Sequence, residues 1–455
     1  MSLASCTILI TQQTDRSIAL TRSLSKALQL GTAKTVNLRL GSKNVTVALK
    51  PLNRKGNLLV IPASVATSIR LPSPGKCQVK ATGNRELQIG PLIGFLTGIN
   101  IPDGKPGQQK QFIREFLEAG HDRSYTFAFS PSGVNWRDEV VTGYFPLPGG
   151  KWVRRTVPLP DVVYNRLGHR GAEKTMSIRE FKERFVSRRI PIFNWSFFDK
   201  MDVYRLLEDD LQAFSHVPES SSGPSPEEIR RMMEKHRFVY LKPTAGSLGF
   251  GIYRLTYNPE KGYFARYRKD GSNVLIRFPR FEGLMNMLRR QNIRLPNYVV
   301  QQGIRLIELD NCPIDFRFHM TKNGEDEWVV AAVGAKKAGR GSVTTHVRTG
   351  GMLMTPEQVL STVYGSRGAD ILVKAKEVAV KLAEAIERNY PHRLGELGFD
   401  LGIDQDETIW MFEANAKPGR SIFKHPALKV QGKESLNNLV EHCLFLSRFR
   451  ARRES

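Results

Sequence analysis

Cysteine is scarce: four in 455 residues, at positions 6, 77, 312 and 443, with no CxxC pair. That spacing argues against a structural zinc site or a disulfide scaffold and fits a reducing compartment. Long apolar runs are missing as well. No stretch reaches the length that spans a bilayer, and the opening MSLASCTILITQQTDR has no basic segment followed by a long apolar core. The expectation is a cytoplasmic, soluble protein with no membrane span. Acidic residues are in deficit, 44 Asp+Glu against 68 Lys+Arg, which gives a net charge of +24. Such a chain is drawn to polyanions: nucleic acid, an anionic polymer or nucleotide phosphates. Its basic residues are spread out, with local clusters at 179–189, 289–294 and 448–453. The first of these, REFKERFVSRR, mixes signs and reads as a solvated helix face.

What is present is ordinary globular material, 40% hydrophobic and 25% charged. At this length two to four domains are expected. Residues 1–88 carry short alternating runs, VNLRLG, NVTVALK, NLLVIPA and CQVKA, and read as a small β-rich domain. Residues 89–195 alternate strand and helix signals, which suggests a small α/β unit with a parallel sheet. Residues 196–455 begin with a helical bridge. Its Ser225-Pro226-Glu227-Glu228 is a helix start of the capping-box type.

Two stretches carry chemistry. The first, RFVYLKPTAGSLGFGI (237–252), runs from strand formers through Lys242 into Gly246, Ser247, Gly249 and Gly251. It reads as a strand, a glycine-rich turn and a returning strand. Glycines let backbone N–H groups converge on an anion, and a lysine offers phosphate a point charge. No Gly-Lys-Ser/Thr follows, so it is not a Walker loop, and it opens no helix as a dinucleotide fingerprint would. A plain glycine hairpin with an exposed lysine is the other reading of this stretch alone. The second, GELGFDLGIDQDETIWMFEANAKPGR (395–420), places two strand-like runs around a polar turn at 404–407. In that hairpin Asp400 can lie near Glu413, and Asn415 shares the face of Glu413. Hard oxygen ligands without His or Cys suit Mg²⁺. A solvated acidic hairpin is the bland alternative, weakened by the apolar Trp410-Met411-Phe412.

In this order the two stretches resemble the ATP-grasp superfamily, and most closely its YheC/YheD group, proteins associated with endospores. IGPLIGFLTG (89–98), PDVVYNR (160–166) and KPGR (417–420) add to the resemblance. It implies an α+β / α/β chain: an ATP-grasp domain over 196–455, with a phosphate hairpin at 237–252 and a metal hairpin at 398–415. A small α/β domain (89–195) and an N-terminal β-rich domain (1–88) precede it. ATP would be held by Lys200 in FFDKMDVYRLL (197–207), by Lys242 and by Gly246, Ser247, Gly249 and Gly251. Gln301 and Gln302 of YVVQQ (298–302) and Asp315 of DFR (315–317) complete that implied set. Mg²⁺, with Mn²⁺ as the alternative, would sit on Asp400, Glu413 and Asn415. Arg317, Arg340 and Lys336 are the implied catalytic residues.

The implied reaction joins a small carboxylate to an amine-type acceptor after ATP phosphorylates the carboxylate. The sequence departs from the family pattern in GAKKAGRGSVTTHVRTGG (334–351). Lys336 or Lys337 stands where arginine is usual, and Thr345-His346 where Thr-Asn is usual. Lysine keeps the charge but loses the fork. Two other classes stay open. One is a nucleotide-binding structural protein of the spore without ligase turnover, with spore-coat proteins as partners. The other is a polyanion-binding protein on an ATP-grasp scaffold.

Overall fold

The computed structural model describes residues 2–83, 85–99, 101, 107–244, 251–342 and 351–450. The N-terminal β-rich region is a closed seven-stranded barrel. Its strand order is Ser2–Thr11, Leu58–Pro62, Ser17–Thr21, Lys43–Leu52, Thr35–Leu40, Glu86–Gly90, Gly75–Thr82 and back to the first. Alternation drives it: Ile18, Leu20, Val36, Leu38, Leu40, Leu59 and Ile61 all point inward and are buried. The barrel is built twice. Ser2–Thr11, Ser17–Thr21 and helix Arg22–Ala27 recur as Lys43–Leu52, Leu58–Pro62 and helix Ala63–Ser68. Each is displaced by 41 residues (43 − 2, 58 − 17, 63 − 22). Even the left-handed residue after each helix repeats, Gln29 at φ 52° and Arg70 at φ 53°.

The next region is a mixed sheet. Strands Tyr125–Phe129, Leu92–Leu96, Val162–Asn165 and Ile192–Phe193 run parallel, as strand–helix alternation suggests. An antiparallel hairpin, Val140–Pro146 with Trp152–Pro158, extends its edge. Helix Met176–Ser187 corrects one sequence expectation. Its cluster is not wholly a solvated face, because Lys182 is buried and donates to the Trp195 carbonyl at 2.6 Å.

Two further sheets follow. The first has the order Ser220–Ser222, Tyr298–Gln302, Phe238–Pro243, Tyr253–Asn258, Gly262–Lys269 and Ser272–Phe278. Helices Pro226–His236 and Phe281–Arg290 cover one face through Ile229, Met232, Leu284 and Leu288 on Val239, Leu241, Leu255 and Ala265. Ser225 caps the first of these helices, its Oγ accepting from the Glu228 N–H. The second sheet has the order Met352–Met354, Trp328–Lys337, Cys312–Lys322, Glu396–Ile403 and Ile409–Asn415. Helix Gly368–Asn389 covers it, with Ala375, Leu382 and Ile386 against Phe316, Phe399 and Met411. Each sheet therefore keeps one polar face, and those two faces meet.

The C-terminal helix Lys429–Leu446 ties the regions together. Leu436, Leu439, Val440 and Cys443 share a core with Phe95, Phe112 and Phe116 of the α/β region. Beyond it, Lys80 of the barrel stacks on Phe449 at 4.2 Å and donates to the Ser447 carbonyl at 3.0 Å. Among the described residues, no helix is long and apolar enough to cross a membrane.

One buried group on this helix makes stability pH-dependent. His442 packs edge-on against Phe193 with ring centroids 5.1 Å apart. Neither ring nitrogen has a hydrogen-bond partner among the described residues. Asp326 lies 3.3 Å from Nδ1, but burial, aided by Lys322 and Arg393, lowers the imidazole pKa to about 3. The folded protein thus favours neutral imidazole, while the unfolded chain takes up a proton near pH 6.5. Stability is complete above pH 6.5 and falls as the pH drops toward 3, by an amount on the order of 4–5 kcal/mol at the limit. In denaturant titrations, His442→Leu should flatten the fall between pH 6.5 and 4. An unchanged slope would assign the acid sensitivity elsewhere.

Candidate nucleotide site

The first chemical element is the strand Phe238–Pro243. Val239 and Leu241 point into the helix-covered core, so Tyr240 and Lys242 point into the cleft. Lys242 Nζ donates to Gln301 Oε1 at 2.5 Å on the neighbouring strand. Gln301 Nε2 in turn donates to the Tyr204 hydroxyl at 2.7 Å and to Ser220 Oγ at 3.1 Å. Tyr204 donates to the Phe412 carbonyl at 3.1 Å. This hydrogen-bond chain runs from the first sheet, through the helix Lys200–Leu207, to the strand Ile409–Asn415 of the second sheet. Lys242 also lies 5.3 Å from the Tyr240 ring centroid and 5.7 Å from that of Phe412. Phe412 precedes Glu413, so motifs 171 positions apart (413 − 242) face each other across one cleft.

The second element is the acidic hairpin. Its turn forms where the sequence suggests: Asp404 Oδ1 accepts from the Asp406 and Thr408 N–H groups at 3.0 and 2.8 Å. Asp404 Oδ2 accepts from Trp410 Nε1 at 2.7 Å. The register pairs Asp400 with Glu413 and Gly398 with Asn415, then slips to pair Leu401 with Met411. Phe412 is the extra residue of a β-bulge. The bulge switches the strand's phase, so Met411 and Ala414 both reach the core while Glu413 and Asn415 share the cleft face. Gly402 leaves room for the bulged ring, since a Cβ there would come within 2.5 Å of Phe412.

Asp400 is the electrostatic centre. Arg317 grips it with two hydrogen bonds, Nε to Oδ1 at 2.7 Å and Nη2 to Oδ2 at 2.8 Å. Lys336 Nζ donates to Oδ1 at 2.7 Å and lies 3.5 Å from Asp315 Oδ1. Burial pushes the Asp400 carboxyl pKa up, but Arg317 and Lys336 outweigh it and hold the group well below the usual carboxylate range. The Arg317 pKa is raised in spite of burial, by Asp400 first.

These distances test the donor set for a divalent ion. A carboxylate has about four lone-pair sites. Arg317 and Lys336 use three at Asp400, which leaves one. On this wall of the cleft Asp315, Asp400 and Glu413 stand against Arg317 and Lys336, a formal charge of −1 (2 − 3) that faces Lys242 of the other sheet. Among the described residues no cluster of three His, Cys, Asp or Glu is gathered for a metal. Mg²⁺ does not need one, since it keeps several waters and binds through one or two carboxylates plus phosphate. Asp400, Glu413 and Asn415 fit it on those grounds.

The other sequence candidates separate into groups. Gly251 is left-handed at φ 71°, and a Cβ there would come 3.3 Å from Pro243, so glycine suits the turn back into the sheet. Gly246, Ser247, Gly249 and His346 lie outside the described residues. Lys200 opens the bridging helix. Gln302 turns away from Lys242 and accepts the Glu219 N–H at 3.1 Å. The Arg340 carbonyl accepts from Asn273 at 3.4 Å, and its charge acts on Asp310. Lys337 pairs with Asp310 rather than with the cluster. Sequence reasoning missed Tyr204, Ser220 and Phe412, which carry the bridge between the sheets. The spacing of Tyr204 from Lys200 on one helix, at i and i+4, was the available signal.

Two polar sheet faces closing on a lysine and an acidic hairpin define an ATP-grasp protein, a fold that implies ATP binding. The YheC/D like ATP-grasp family matches residues 189–446. The endospore coat-associated protein YheD of Bacillus subtilis (strain 168) is 33% identical over 368 residues, covering 79% of this chain and 80% of the relative. The endospore coat-associated protein YheC of the same organism is 22% identical over 284 residues, covering 59% and 73%. Among solved structures, the VanG D-Ala:D-Ser ligase from Enterococcus faecalis is similar with a TM-score of 0.45 and 13% identity, over 79% of this chain and 99% of that one. The chain belongs to the YheC/D-like ATP-grasp family.

Proposed function

We propose that the protein binds Mg-ATP in this cleft and uses it to join a carboxylate to an amine-type nucleophile. The observation that carries the reading is the hydrogen-bond chain from Lys242 through Gln301 and Tyr204 to the Phe412 carbonyl, next in sequence to Glu413. Lys242 holds phosphate, and Gln301, turned inward at 3% exposure, positions that lysine. Adenine recognition then falls to the backbone of the 298–302 strand. When bound, Mg²⁺ supplies charge neutralisation on the phosphate oxygens; Asp400, Glu413 and Asn415 would hold it. Phosphoryl transfer depends mainly on such positioning and neutralisation.

Arg317 is tied to Asp400 and fixes that carboxylate's orientation. Lys336 links Asp315 to Asp400 and keeps a positive charge facing the cleft. In the reaction, a substrate carboxylate oxygen attacks the γ-phosphorus and ADP leaves. The nucleophile's nitrogen then attacks the acyl carbon, phosphate departs and the nitrogen loses its proton. An endospore-coat setting, with coat proteins as partners, is part of the proposal because both curated relatives carry that name. The test is phosphate release from ATP with panels of small acids and amines. Slow release alone, stimulated at least about tenfold by one acid–amine pair, is the expected result. Nucleotide binding with no stimulation by any pair would favour a structural, non-turnover role.

A further inference from the structure

A second polar centre lies between the α/β region and the second cleft sheet. Glu396 is fully buried there. Tyr164 donates to it at 2.5 Å, Arg166 at 3.0 Å, His319 Nε2 lies 3.0 Å away and Arg420 Nη1 3.5 Å. Close by, Lys417 donates to Glu173 at 2.6 Å, and Lys182 lies 3.9 Å from the same oxygen. Four cations, Arg166, Lys182, Lys417 and Arg420, thus share two buried carboxylates, Glu173 and Glu396. The most exposed of the six is Arg166, at 13%. His319 does not add charge, because burial lowers its pKa to about 4. Counting the exposed Glu115, whose field Arg420 feels, and the exposed Glu183 and Arg179, whose fields Lys182 feels, the balance is still positive (5 − 4). Unbalanced buried charge is costly.

A cavity of about 170 Å³ opens against two of these cations. It is lined by Phe95, Thr97, Gln109, Phe112, Arg166 and Lys417, among others. Thr97 and Arg166 follow the C-terminal ends of the adjacent parallel strands Leu92–Leu96 and Val162–Asn165. The C-terminal edge of a parallel sheet is where ligands of open α/β sheets bind. The volume is similar to that of an engineered cavity of about 150 Å³ that takes up one benzene, so some six or so non-hydrogen atoms fit. One layer separates it from the nucleotide site. Arg166 Nη2 donates to the Pro418 carbonyl at 3.1 Å, and a Cβ on Gly398 would touch both Pro418, at 2.6 Å, and Arg317, at 3.2 Å.

We propose that this cavity binds a small carboxylic acid with an apolar body, its carboxylate held by Arg166 and Lys417 and its chain by the phenylalanines. The inference does not need the ligase reading: with its one carboxylate held by Arg166 and Lys417, a layer away from the nucleotide site, this acid is a bound ligand and not the carboxylate that is phosphorylated. The charge imbalance and the lining that motivate it do not depend on ATP. The test uses the full chain and butyrate as probe, with butyramide as the neutral isostere, in saturation-transfer NMR. Butyrate should bind at least tenfold more tightly than butyramide. Gly168→Leu should weaken butyrate at least tenfold, because even a Cβ there comes 2.8 Å from Gln109 at the cavity wall. Equal binding of the two probes, no butyrate binding, or butyrate binding indifferent to Gly168→Leu would each overturn the inference. Mg-ATP binding, measured separately by calorimetry, keeps the two readings apart. Its absence alongside intact butyrate binding sinks the ligase reading and leaves the cavity.

Discussion

Glu413→Gln is expected to leave a folded protein whose ATP turnover falls by at least about 100-fold, a loss of roughly 3 kcal/mol in transition-state stabilisation. Glutamine keeps the length and one oxygen of glutamate but removes a full charge. The residue sits on the cleft face opposite Asp400, placed there by the Phe412 bulge and not by core packing. Its loss takes this wall of the cleft from −1 to neutral, with two carboxylates against Arg317 and Lys336. Mg²⁺ selects charged oxygen ligands, so the defect should fall on phosphoryl transfer and not on the fold. Phosphate release and a thermal melt on the same preparation check it. Full activity in this variant would remove Glu413 from the metal set.

Asp400→Asn should behave differently, and the contrast separates the two carboxylates. Asp400 is 17% exposed and is the shared partner of Arg317 and Lys336, themselves 16% and 14% exposed. Removing its charge deprives Arg317 of its two-pronged partner and leaves Lys336 only Asp315, at 3.5 Å, in a poorly solvated cleft wall. Breaking a buried pair by deleting one partner costs about 3–5 kcal/mol, so denaturant titration should show a loss of that order together with lost turnover. The sign of the pH dependence follows from the lowered carboxyl pKa. The contribution is present above the unfolded pKa of about 3.9 and decays only as the pH falls below it. A loss under about 1 kcal/mol at neutral pH would mean that the triad is solvated and that Arg317 does not depend on Asp400.

Local patterns made the two chemical hairpins readable. Lys242 closes a run of strand formers, and the Asp404–Glu407 turn announces itself by polarity. The bulge at Phe412 was not readable, because it depends on which of two neighbouring apolar residues fills the core. The barrel's duplication is not legible in the sequence because it persists only as apolar character, with Ile18, Leu24 and Leu28 answered by Leu59, Val65 and Ile69. The partnership of Arg317 with Asp400 is a matter of strand register across 83 positions (400 − 317). DFR alone suggests an anion-binding arginine and says nothing of an internal carboxylate. Lys182 looked solvated because its neighbours carry mixed charge; only the packing of the Trp195 segment over it shows the burial. The Glu396 centre draws on residues 164, 166, 319 and 420, too far apart in sequence for any local motif.

Calorimetric titration of Mg-ATP into the intact protein and into Lys242→Ala tests the central claim most directly. Lys242 holds the cleft position through Gln301, and a charged hydrogen bond of this kind contributes about 1.5–3 kcal/mol. The account predicts binding to the parent protein, weakened roughly tenfold to a hundredfold in Lys242→Ala. Asp370→Ala, on the exposed first turn of the helix Gly368–Asn389, should leave it unchanged. No nucleotide binding by the parent protein in the presence of magnesium, or equal affinity in Lys242→Ala, would contradict it.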